Sequence, residues 1–266
     1  MKVASVLIGT ALLLIVGCHS SPSVSSNHVW AIVKISYNPA TLEAAGGSCG
    51  TVFFVNETNF VTAHHVVSSD TALFTPNKGY PNVRVFLANA QGDTIDDFWI
   101  VSRAPEHDLA VGRIRDPHPH VLVCPFDNSV NRGDAVVNLG FPSDQRLPGA
   151  VLRVRGHKLI VEQIQMAPDL QSGKVEVIRP ESLQANDVKL RNQVVIILDH
   201  SSRDGYSGGP LVSRRSGRVV GLMSHLVPSD LRSPAAAIPI ADIQPHILAS
   251  DRSRTGDHPQ RTLSNP

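Results

Sequence analysis

The sequence predicts an all-β fold, and three observations carry that prediction. Apolar residues come in short runs rich in Val and Ile, each about the length of one strand. Between the runs stand Gly and Pro, 19 of each in 266 residues, where turns are needed. No stretch ahead of residues 241–248 sustains the 3.6-residue period of an amphipathic helix. With 42% hydrophobic and 18% charged residues and a formal net charge of +1, the chain has a core to bury and no bulk charge with which to choose partners. Aromatics make up only 5% and the Lys and Arg residues are scattered, which excludes a nucleic-acid groove built on a basic stripe and stacking rings.

The N-terminus reads as an address. Lys2 supplies a positive charge and Val3 to Val16 an apolar run of 14 residues, too short to span a bilayer and suited to the core of a signal peptide. Residues 1–17 are therefore expected to be removed. Ile15-Val16-Gly17-Cys18 resembles the lipobox of bacterial lipoproteins, which implies cleavage before Cys18 and diacylation of that residue. A lipid on Cys18 would anchor the chain in a membrane, since each buried CH₂ contributes about 0.8 kcal/mol. His19 stands where an aspartate would retain a lipoprotein at the inner membrane, so the resemblance implies the bacterial envelope, at the outer membrane facing the periplasm. A soluble secreted chain, with a cysteine at its cleavage region, is the alternative. Residues 18–27, mostly serine after His19, are expected to form a flexible tether.

The folded part is expected to begin near His28. Val29–Ser36 reads as a strand, Glu43–Gly50 as a glycine-rich break, Thr51–Val55 as a second strand, Asn56–Asn59 as a turn and Phe60–Ala63 as the return strand. That hairpin delivers His64 and His65 at its end. Neighbours in a strand point to opposite faces, so these two histidines cannot chelate one ion together, and no metal is expected. Val83–Val101 is strand-rich and runs into Asp108-Leu109-Ala110-Val111, where a carboxylate stands just ahead of a buried strand. Val121–Cys124, Asp134–Leu139, Val151–Ile164, Lys174–Ile178, Val194–Leu198, Val219–Ser224 and Ala237–Ile240 supply further strands, Ala241–Leu248 a short helix, and residues 251–266 a disordered tail.

Gly205-Tyr206-Ser207-Gly208-Gly209-Pro210 sets a serine between glycines. Such a turn brings main-chain N–H groups close to whatever the hydroxyl attacks. Histidine, aspartate and serine thus follow one another as His65, Asp108, Ser207. The stretch Thr62-Ala63-His64-His65 resembles the Thr-Ala-Ala-His signature of chymotrypsin-like serine proteases and the Thr-Asn-Asn-His of their HtrA branch. Asp108-Leu109-Ala110-Val111 and Gly205-Tyr206-Ser207-Gly208-Gly209 are similar to the same family's other two signatures, in the same chain order.

The resemblance implies two six-stranded antiparallel barrels, about 28–130 and 131–250, with the site in the cleft between them and a short C-terminal helix. It implies a serine endopeptidase of proteins or peptides, needing no cofactor. His65 would be the base, Asp108 its orienting acid and Ser207 the nucleophile, with the N–H groups of Gly205 and Ser207 as oxyanion hole; His64 is the alternative register for the base. By register with Ser207, the specificity pocket falls on Ser201 and Ser202 for its floor and on Ser224, His225 and Leu226 for its wall. None is a carboxylate, which disfavours Arg or Lys substrates and favours small or medium apolar side chains. Tyr206 replaces the aspartate that pairs with a newly cut N-terminus in zymogen-type trypsins, so no such activation step is expected. After Leu248 only 18 residues remain, too few for the PDZ domain of HtrA proteins. Cys49 and Cys124 are either a disulfide, which an oxidising envelope permits, or two buried thiols. An inactive relative that holds peptides in the same cleft by strand addition is the alternative function.

Overall fold

The computed structural model describes residues 23–41, 43–68, 73–143, 151–155, 158–185, 188–224 and 235–252. The described residues form fifteen strands, some short helical turns and a C-terminal helix, an all-β architecture. The first lobe comprises β1 (Val29–Asn38), β2 (Glu43–Phe54), β3 (Asn59–Ala63), β4 (Asn82–Ala88), β5 (Thr94–Ile95), β6 (Phe98–Ala104) and β7 (Leu109–Ile114). These form one antiparallel sheet in the order β5-β4-β1-β2-β3-β7-β6. Among the described residues this lobe is a half-barrel of seven strands whose ladder runs from β5 to β6, consistent with the expected two-barrel fold. The second lobe is a closed six-stranded barrel, ordered β11 (Asp169–Ala185), β12 (Val188–Leu198), β15 (Ala236–Pro239), β14 (Val219–Ser224), β13 (Pro210–Ser213) and β8 (Ala135–Gly140). β9 (Val151–Arg155) and β10 (Lys158–Gln163) pair as a separate hairpin.

The strands form where Val, Ile and Phe can be buried on both sides. On β1, Trp30 and Ile32 enter a core inside the first lobe together with Phe54, Phe60 and Phe98. Alternate residues Val29, Ala31, Val33 and Ile35 join a second core that also takes Phe141, Val195, Val212, Leu222 and Ile238 from the other lobe. That shared apolar seam fixes the two lobes against each other. A third cluster, including Val136, Val175, Leu211 and Met223, fills the closed barrel.

Four expectations change. Residues 43–50 continue β2 where a break was expected, because their glycines serve close approach: a Cβ on Gly46 would lie 2.2 Å from Lys34 O on β1. Val121–Cys124 is no strand; it crosses between the lobes and bridges singly, Val123 to Phe54, with Phe126 then bridging to Val219. The tether ends earlier than expected, since Val24 is buried and its N–H donates to Gly217 O at 2.8 Å, which docks the chain from Ser23 onward. The C-terminal helix, α2 (Ile240–Arg252), runs past Leu248 and includes Asp251 from the expected tail. Asp251 accepts hydrogen bonds from Asn56 and Asn59, and Arg113 Nη2 donates to Ser250 O at 3.1 Å, so the last turn is held by the β2–β3 hairpin and by β7. Residues 253–266, Cys18 and the leader lie outside the described residues. Cys124 is a free buried thiol, its pKa pushed up by burial, and so makes no disulfide; the Cys49 side chain lies outside the described residues.

Candidate active site

The hairpin of β2 and β3 is closed by Asn56, whose Oδ1 accepts the N–H groups of Thr58 at 3.0 Å and Asn59 at 2.6 Å. β3 then ends at Ala63 and the chain turns into α1 (His64–Val67), one short turn that carries His64 and His65. Opposite it, Pro105–His107 forms a 3-10 turn, with proline at its start, and stops at Asp108, whose φ of 46° is left-handed. Asp108 is the only non-glycine residue with positive φ among those described. Aspartate tolerates that conformation better than most residues, and it costs on the order of 1–2 kcal/mol. The twist sends the Asp108 side chain inward, where it is fully buried.

The buried carboxylate is satisfied on several sides. His65 Nδ1 lies 2.9 Å from Oδ2 and 3.1 Å from Oδ1, and the His65 N–H donates to Oδ1 at 3.0 Å. Ser224, buried on β14, donates its hydroxyl to Oδ2 at 2.5 Å. The His64 N–H donates to the Asp108 carbonyl at 2.8 Å, which clamps α1 to the 3-10 turn. With Nδ1–H directed at the carboxylate, Nε2 is the His65 nitrogen left to accept a proton. The His65 side chain is 10% exposed, so one ring edge still reaches the surface.

Ser207 comes from the other lobe, on the loop from β12 to β13, and is 7% exposed. Its backbone is tied across the cleft: Ser207 O accepts the Thr51 N–H at 2.8 Å. A Cβ on Gly208 would lie 2.2 Å from Thr62 Oγ1 and 2.8 Å from Ala63 N, so the serine turn packs against the strand end that leads into His64 and His65. No hydrogen bond joins Ser207 Oγ to the His65 ring among the described residues. Such contacts are often long without substrate and tighten when it binds.

The loop from Asp204 to Ser207, where the oxyanion hole is expected, is held in one conformation by the contacts that follow. Gly205 has φ +95°, and a Cβ there would lie 2.1 Å from Phe141 O, so only glycine fits. Asp204 O accepts the Ser143 N–H at 2.9 Å, which turns the far end of the same trans peptide, the Gly205 N–H, away from Ser143. Thr51 Oγ1 donates to Gly205 O at 2.7 Å and accepts the Phe141 N–H at 3.0 Å. Tyr206 is fully buried under the loop. Neither the Gly205 nor the Ser207 N–H donates to another described residue, which leaves both for an incoming oxygen.

The residues expected to form the specificity pocket differ in exposure. Ser201 is exposed and Ser202 half-buried. Ser224 is buried on β14 and its hydroxyl is engaged by Asp108, because β14 runs directly behind the carboxylate. His225 and Leu226 lie outside the described residues. Two contributors escaped the sequence. Thr51 acts 154 residues away from Gly205, and no local pattern marks it. Ser224 sat in a recognisable stretch, but its partner is visible only in three dimensions.

Residues 50–222 match the trypsin-like peptidase domain family. No curated protein matches the sequence. Among solved structures, the HtrA-type protease AlgW with tripeptide superposes with a TM-score of 0.55 at 17% identity, over 85% of this chain and 60% of that one. AlgW with decapeptide gives 0.58 at 16% identity, over 86% and 65%. The active form of the Rv3671c protease from M. tuberculosis gives 0.54 at 17% identity, over 82% and 79%. At these identities the likeness is one of fold, and the chain spans about 60% of the length of the tripeptide-bound AlgW chain.

Proposed function

The chain belongs to the trypsin-like peptidase domain family, a serine protease fold, and from that premise we propose that it is an endopeptidase acting through His65, Asp108 and Ser207. One observation carries the reading: His65 Nδ1 is bound to the fully buried Asp108 at 2.9 Å, which orients the ring and leaves Nε2 for the Ser207 proton. Nε2 takes that proton as Ser207 Oγ attacks the peptide carbonyl. The resulting oxyanion accepts the Gly205 and Ser207 N–H groups. The C–N bond then breaks, the amine leaves with the proton from Nε2, and Ser207 holds the acyl group. Water gives its proton to Nε2, attacks the ester and releases the acid, which restores both residues.

Relatives of the same fold were crystallised with a tripeptide and a decapeptide. An extended peptide in the cleft is accordingly the proposed substrate here. The Ile15-Val16-Gly17-Cys18 signal supports a further element of the proposal, a mature chain starting at a lipidated Cys18 and facing the periplasm from the outer membrane. The catalytic part is tested by incubating a peptide library with the wild-type and Ser207→Ala chains. Cleavage within peptides by the first and none by the second supports it; equal cleavage by both, or none by either, overturns it. The anchor is tested by the mass of the native mature N-terminus, where a start elsewhere than Cys18 with no added lipid overturns that element.

A further inference from the structure

The 3-10 turn that presents Asp108 carries two side chains which the proposed chemistry does not use. Glu106 is exposed and His107 half-buried, and His246 on α2 lies against them. The His107 and His246 rings are 4.7 Å apart, centroid to centroid, tilted by 52°. His107 Nδ1 is closed off from solvent with no hydrogen-bond partner. None of the three side chains makes a hydrogen bond or ion pair among the described residues. One ligand atom from each of Glu106, His107 and His246 falls within 4.8 Å of the other two. A tetrahedral zinc with bonds near 2.1 Å sets its ligand atoms about 3.4 Å apart, a separation that falls inside the 4.8 Å limit within which these three atoms lie.

We propose that Glu106, His107 and His246 bind a divalent transition-metal ion of the zinc class, which ties the turn bearing Asp108 to the C-terminal helix. Two imidazoles and one carboxylate select such an ion, because calcium and magnesium require an oxygen shell. Three protein ligands leave the fourth position to water. The ion would link the turn to α2 one residue ahead of Asp108, and so brace the carboxylate that holds His65. This site stands apart from Ser207 and its existence does not depend on hydrolysis.

The full Ser207→Ala chain, stripped with EDTA and titrated with zinc chloride in a calorimeter, provides the test, because it binds without digesting itself. One saturable site is expected. His107→Gln and His246→Gln, each checked for an unchanged circular dichroism spectrum, should weaken it by at least ~100-fold, the upper end of what loss of a second-shell partner costs. At ~100-fold excess over Kd, zinc should raise the melting temperature by about 5–10 °C in the parent and by far less in either variant. Calcium chloride should do neither. Absence of saturable zinc binding overturns the proposal. So does binding that both variants keep, which would place the ion elsewhere on the chain.

Discussion

The two lobes supply their halves of the site by different means. On the first, His65 and Asp108 are fixed by bonds to the Asp108 carboxylate over a 43-residue separation, with Ser224 reaching in from β14. On the second, the Ser207 loop is placed by its backbone: Gly208 N–H to Met223 O at 2.8 Å, Ser143 N–H to Asp204 O, and Thr51 N–H to Ser207 O. His65 is therefore held by a buried carboxylate, and the Ser207 loop by glycine, main-chain bonds and the Thr51 hydroxyl. A change on the first side should damage proton transfer and leave the loop in place, whereas one on the second should damage the loop and leave the His65–Asp108 pair.

The largest effects come from removing the reacting atoms. Ser207→Ala and His65→Ala should each lower kcat by roughly 10⁶-fold with no change in folding, and the double variant should be no worse, because the two act as one unit. Steady-state kinetics on a cleaved peptide checks this, and additive losses would separate what the account joins. Asp108→Asn should cost about 10⁴-fold in kcat through the wrong imidazole tautomer, while KM stays close to that of the wild type.

Ser224→Ala probes the contact between the lobes. It removes one hydrogen bond to a buried carboxylate, of about 1.5–3 kcal/mol, and should lower kcat/KM by about 10–100-fold. A loss confined to KM would instead point to a role of Ser224 in the substrate pocket. Thr51→Val tests the loop side. It leaves the Gly205 carbonyl and the Phe141 N–H without their buried partner, which should cost about 1–3 kcal/mol in chemical denaturation and lower kcat with it. If stability falls and kcat does not, Thr51 braces the lobes without shaping the oxyanion loop.

The fold was legible wherever a strand is buried on both faces, as in Val29–Ser36, or closes a hairpin at an Asx turn, as at Asn56. It was not legible where glycine serves packing. Gly46 lies inside a strand because β1 passes too close for a side chain, and sequence alone reads the same residue as a break. His65, Asp108 and Ser207 stood out as candidates because each lies in a short motif close to a strand end. Thr51 and the partner of Ser224 did not, since both act between segments more than 100 residues apart.

The smallest expected effect is on stability and lies at the N-terminal entry to β1. Burial holds the His28 pKa below its ordinary value of 6.5. The folded chain therefore takes up this proton less readily than the unfolded one, so the associated stability is present above pH 6.5 and is lost as pH falls from there toward the folded pKa. Melting curves between pH 7 and about 5 should show that loss in the wild type and a shallower one in His28→Asn. Identical slopes would assign the acid sensitivity elsewhere.

The central claim, that His65 activates Ser207 in the folded chain, is tested most directly by a fluorophosphonate probe followed by peptide mapping. The account predicts one adduct, on Ser207, lost in Ser207→Ala, lost or slowed by orders of magnitude in His65→Ala, and absent after unfolding. A folded chain that stays unmodified at Ser207, or one labelled there equally fast without His65, would contradict it.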